Sequence, residues 1–259
     1  MASSRTSNFL ETLARARAYV NGSNPDPTQS RRTPNKDTQF NNADNLERQM
    51  REDGHSIWGW IIYRCTYDSD EQWQAFLERF GYYVHATLVF HNGQDLESSL
   101  DIQVLQEREL FDGATPDVVR QYFKQWADVA SELEQGRPAG LAQRYRYCLH
   151  VDQEAVESVL AGPEPPEDEL GNGYVNIVMI PPGYGAEPDD AEEEAGATEV
   201  EEEAEATEVE EDNEDDEPQL DPAYMRISYA DLLVTWYNLF RSEGAWEIEY
   251  RQPPEIGRP

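Results

Sequence analysis

Nineteen of the 31 residues from Glu187 to Glu217 are acidic, and none is Lys or Arg. The formal net charge of the chain is -33, so this segment supplies more than half of it. Such a stretch offers almost no apolar surface to offset chain entropy, and its like charges repel, which predicts a disordered acidic loop. Its two nonamers, ATEVEEEAE from Ala197 and ATEVEEDNE from Ala206, read as a duplicated insertion. A solenoid unit would need an apolar face in every copy.

Residues 21 to 46 are polar, rich in Asn, Thr and Pro, and lack a hydrophobic period, so they too read as disordered. Residues 1–53 are therefore expected to be a largely disordered tail with one short helix over Ser7 to Val20. The expected fold is a single α+β domain over 54–254, interrupted by an insert at 183–219, with 255–259 as a terminal tail. Six Trp, 14 Tyr and 8 Phe suit a sizeable core.

Strand and helix patterns alternate along that domain. Ser56 to Tyr67 is β-branched and aromatic on both alternating faces, as a central strand is. Ser69 caps a helix carrying Trp73, Phe76, Leu77 and Phe80, which Gly81 is expected to end. Tyr82 to Phe90 reads as helix or strand. Leu100 to Glu107 is a second strand, and Thr115 followed by Pro116 opens a helix. Arg144 to Val151 alternates as a third strand, and Gln153 to Leu160 makes two helical turns. Tyr174 to Ile180 is a fourth strand. Ser228 and Asp231 cap a last helix, and Trp246 to Tyr250 is a fifth short strand before Pro253-Pro254 closes the order. The expected architecture is about five short strands in a mainly antiparallel sheet with helices on one face, ferredoxin-like or related.

The segments Gly59 to Asp68 (GWIIYRCTYD), Leu110 to Arg120 (LFDGATPDVVR), Arg144 to Asp152 (RYRYCLHVD) and Met225 to Leu233 (MRISYADLL) carry a resemblance. They are similar to a large group of filamentous-fungal proteins without an established activity. The resemblance implies a fungal, intracellular protein and transfers no catalytic residue.

Motifs for nucleotides, metals and nucleophile elbows are missing, so no cofactor and no metal are expected. Cys65 and Cys148 read as reduced core thiols of an intracellular chain. With a period of two, Arg144, Arg146, Cys148, His150 and Asp152 would share a strand face. Neighbours two apart on a strand are roughly 6.5–7 Å apart, too far for a Cys–His couple. The two readings left are cross-strand charge pairing and a sheet face where Arg64, Arg144, Arg146 and His150 bind an anionic group.

An acidic chain disfavours nucleic-acid partners, because phosphate contacts dominate that affinity. No membrane span is expected, and the expected compartment is the cytoplasm, with the nucleus as the alternative and mitochondrial import disfavoured. Three functions follow. The leading one is a non-catalytic interaction or accessory protein. The others are a small-molecule binder or enzyme using Arg64, Arg146 and His150, and an acidic chaperone-like binder of basic proteins.

Overall fold

The computed structural model describes residues 29–34, 36–168, 171–181, 224–242 and 244–259. The acidic segment 187–217 with its nonamers, and the expected helix over Ser7 to Val20, lie outside the described residues.

The molecule is mixed α/β, built on a six-stranded sheet in the order β2-β1-β3-β4-β5-β6. The strands are β1 (Ile61–Arg64), β2 (Gln103–Leu105), β3 (Tyr147–Val151), β4 (Tyr174–Met179), β5 (Tyr224–Ser228) and β6 (Ile256–Gly257). Both β2 and β3 run parallel to β1, β4 is antiparallel to β3 and β5, and β6 is parallel to β5. The sheet is thus mixed, where five mainly antiparallel strands were expected. The reason lies in the connections, since parallel strands need a long crossover. Helix α2 (Asp70–Phe90) separates β1 from β2, and α3 (Pro116–Gln135) separates β2 from β3.

Helices cover both faces, not one. On one face Trp60, Ile62, Leu149, Val151, Val175, Ile177, Met225 and Ile227 pack with Trp73, Phe76 and Phe80 of α2 and with Val156 and Val159 of α4 (Gln153–Leu160). On the other, Ile61, Tyr63, Cys65, Cys148 and Val178 pack against Val119 and Phe123 of α3 and against Phe111. Every residue of β1, β3 and β4 is buried, as strands covered on both sides must be.

The local start signals are realised. Ser69 accepts from the Gln72 amide and Thr115 from Val118, each opening a helix. Asp152, expected on the strand face, instead caps α4 by accepting from the Ala155 amide. Gly81, by contrast, stops nothing. Helix α2 runs through it to Phe90, because Phe76, Phe80 and Leu88 pin both halves to one core. That burial outweighs the ~1 kcal/mol a glycine costs in a helix.

Three further expectations change. Residues 29–34 and 36–53 are folded: Arg32 is buried and paired with Asp44, Glu47 and Asp95, and helix α1 (Asn42–Asp53) buries Ala43 and Leu46. The segment from Trp246 is helical in α5 (Ala245–Glu249), with Ile248 69% exposed, so its alternation did not mark a buried strand face. The chain also remains ordered past Pro254, since Ile256 and Gly257 form the edge strand. Among the described residues, no helix is long and apolar enough to cross a membrane.

Ser228 donates to Asp231, yet no regular helix begins there. Leu233 is extended, and Val234 has φ 64 and ψ -58, a backbone region that β-branched residues avoid. The kink turns Leu232, Leu233, Val234 and Trp236 all into the core. Strain of this type costs about 1–3 kcal/mol. Val234→Ala keeps the strain and loses about 1.6 kcal/mol of burial at ~0.8 per methylene. Val234→Gly loses one carbon more but releases the strain. Glycine is therefore expected to be at least as stable as alanine here, reversing the ordinary order, as measured by chemical denaturation.

Candidate functional site

Strand register lines up four polar side chains across the sheet on the face covered by α3. Tyr63 lies opposite His150, His150 opposite Asn176, and Asn176 opposite Arg226. A phenol, an imidazole, a carboxamide and a guanidinium thus form one row, in a layer whose neighbouring row is Ile61, Cys148 and Val178.

His150 is 2% exposed. Its Nε2–H donates to the Ala114 carbonyl at 2.8 Å, and its Nδ1 accepts from Asn176 Nδ2 at 3.1 Å. The same amide donates to Asp152 Oδ2, also at 3.1 Å, and the other Asp152 oxygen caps α4. The Ala114 carbonyl can only accept, so Nε2 carries a proton, and the Asn176 amide at Nδ1 favours the neutral ring over the pull of Asp152 Oδ2, 3.7 Å from that nitrogen. Burial pushes its pKa below the ordinary histidine value.

Neither thiol is poised for nucleophilic work. Burial pushes Cys65 up to about 12 and Cys148 well above the usual thiol range. His150 has both nitrogens committed elsewhere, so it cannot take a proton from Cys148. A Cys–His–Asp hydrolase does not fit this arrangement.

The expected binding residues are not brought together. Arg64 pairs in register with Val151, so it projects from the opposite face to His150. There its guanidinium sits 4.3 Å from the Tyr67 ring and 5.0 Å from that of Trp73, donates to the Thr66 carbonyl and pairs with Asp70. Arg144 precedes the strand, in a 3-10 turn over Gln143–Tyr145. Its donors go to both oxygens of Glu134, to the carboxylate and carbonyl of Asp101, and to the Gly59 carbonyl. Arg146 is half-buried, with its guanidinium 5.2 Å from the Tyr147 ring. Of the four, His150 alone lies in the polar row.

Tyr63, Asn176 and Arg226 escaped sequence reading. Arg226 lies 4.3 Å from the Tyr174 ring and pairs with Glu154. One local signal existed: Asn176 interrupts the apolar run YVNIVMI, where a buried amide needs partners. The row holds a phenol, a neutral imidazole, an amide and a paired guanidinium, and its imidazole and amide bond to each other, to the Ala114 carbonyl and to Asp152. Among the described residues, no group of three or more His, Cys, Asp or Glu side chains is placed to hold a metal ion. Comparison with protein-family models, curated proteins and solved structures gives no match for this chain.

Proposed function

We propose that this chain is a non-catalytic interaction protein whose partner is a basic protein segment. The observation that carries the reading is the placement of its charge. Val178 of β4 pairs directly with Tyr224 of β5, so the acidic run of 187–217 connects two adjacent strands. The strand residues that flank it in the chain, Val178 and Tyr224, lie side by side in the sheet. A dense negative field there attracts cationic partners and raises their association rate. The engaged state of His150 and the raised thiols favour this reading over catalysis. An anionic ligand held jointly by Arg64, Arg146 and His150 gains no support, because Arg64 and His150 project from opposite faces.

Deleting 187–217 still leaves 182–186 and 218–223 to close the β4–β5 hairpin, so the variant is expected to keep its melting temperature. A fluorescein-labelled Arg-rich peptide, followed by anisotropy, should bind the intact chain at least ~10-fold more tightly than the deletion variant at low salt, a difference of about 1.4 kcal/mol. The difference should shrink as added salt screens it. Equal affinity for the two chains would refute the proposal.

A further inference from the structure

Helix α2 presents an unusual outer face. Tyr82 and Val89 are each 43% exposed and Phe90 is 80% exposed. With Ala86 they follow the i, i+4, i+7, i+8 spacing that places side chains on one side of a helix. Such a contiguous apolar stripe marks an interaction surface more often than a scatter of single residues does.

Two open grooves flank the stripe. One, of about 340 Å³, lies between the C-terminal half of α2 and the segment 230–235, with Tyr83, Ala86 and Phe90 on one wall and Asp231 and Thr235 on the other. His91 borders it, and burial lowers its pKa, so it adds no positive charge at neutral pH. The other groove, of about 250 Å³, lies between α2 and the loop after α4, with Glu78 and Glu164 on its two sides and Tyr82 at its end. Arg79 also lines it, but its guanidinium is turned to the carbonyls of Val159, Gly162 and Pro163. The two carboxylates outnumber it.

Both grooves are open at the surface, whereas a small-molecule site buries most of its ligand. An extended peptide is the better occupant. The carboxylates of both grooves and the chain's net charge of -33 select a basic one. The wall formed by 230–235 is held by the buried, kinked residues Leu233 and Val234, so the apolar groove is built into the core and not shaped by a loose loop.

We propose that the outer face of α2 docks a basic peptide segment, with a Lys or Arg seated between Glu78 and Glu164 and an aliphatic or aromatic side chain in the groove of Ala86 and Phe90. The inference rests on the basic-partner reading and names its folded contact surface. Glu78 and Ala86 are eight residues apart on the helix, about 12 Å at ~1.5 Å per residue. That span matches four residues of extended chain at ~3.3 Å each, so the motif is a basic residue and an apolar residue at i and i+4.

The test uses two fluorescein-labelled peptides of equal length. One carries an Arg pair with Leu four residues on, and the other has Ser in place of that Leu. The intact chain should bind the Leu peptide about tenfold more tightly. Combined Glu78→Lys and Glu164→Lys should weaken it at least tenfold, and Phe90→Ser should bring the two peptides to equal affinity. All three positions are exposed, and circular dichroism should show the same fold in every variant. If these variants bind like the intact chain while deletion of 187–217 abolishes binding, the docking surface is refuted and the basic-partner reading stands. If the intact chain binds neither peptide, both fall. If sedimentation shows a self-association that Phe90→Ser abolishes, the occupant is a second copy, and the peptide assignment is overturned.

Discussion

Replacing Arg144 by methionine is expected to cost about 3–5 kcal/mol of stability, the usual loss when one partner of a buried ion pair is removed. The Arg144 side chain is 1% exposed, and its donors join three elements: Glu134 at the end of α3, Asp101 before β2 and the Gly59 carbonyl before β1. Methionine can fill the volume but leaves the Glu134 carboxylate, 17% exposed, without its cation. At ~2–4 °C per kcal/mol for a domain of this size, the melting temperature should fall by about 10 °C. A double variant, Arg144→Met with Glu134→Leu, should recover much of the loss, because the one carboxylate then left without that cation, Asp101, is 37% exposed and can be solvated.

The pH dependence provides a second readout. Burial alone would raise the Glu134 pKa, but the hydrogen bonds and charge of Arg144 outweigh it and hold the carboxyl below its ordinary value. A depressed carboxylate contributes stability that is present above the unfolded pKa and lost as pH falls through the folded one. The gap between the native chain and Arg144→Met should therefore be largest near pH 7. It should narrow as pH falls through the carboxylate range, because the variant's Glu134, buried and no longer held ionised by Arg144, takes up a proton before the native one does. Urea denaturation at pH 7 and pH 3.5 measures this.

Local chemistry was legible in the sequence, and long-range chemistry was not. Thr115–Pro116 and Ser69 open helices because a cap and its amide lie three residues apart. Gly81 misled because the packing of Phe80 and Leu88 across it decides the helix, and no helix-end signal records that packing. The folded state of 29–34 and 36–53 rests on Arg32 reaching Asp95, 63 residues away. The period of two was right for Tyr147 to Val151 but was carried too far back. Arg144 answers to Glu134 and Asp101, not to the strand. The polar row combines residues from four strands, so only the register reveals it. Asn176 was its one local trace.

His150→Leu is expected to destabilise the fold by about 2–4 kcal/mol, since it strands the Ala114 carbonyl and one bond of the Asn176 amide, each worth ~1–3 kcal/mol when buried without a partner. A catalytic histidine would instead lose activity with stability intact. Titration separates this effect from a simple packing defect. The native imidazole accepts from Asn176 on Nδ1, so a proton arriving there would set two donors against each other. Burial adds to this and lowers the folded pKa, while the unfolded histidine titrates near ~6.5. Between those values the unfolded state binds a proton that the folded state refuses, so this contribution is fully present above ~6.5 and falls away as the solution is acidified. Its slope approaches ~1.4 kcal/mol per pH unit for one proton. The leucine variant lacks that proton. The stability gap between native chain and variant should therefore be constant above pH 7 and should close progressively from pH 6.5 to pH 5 in denaturant titrations. A gap that stayed constant over that range would mean that the imidazole takes up its proton inside the fold, and that the bonds to Ala114 and Asn176 do not lock it neutral.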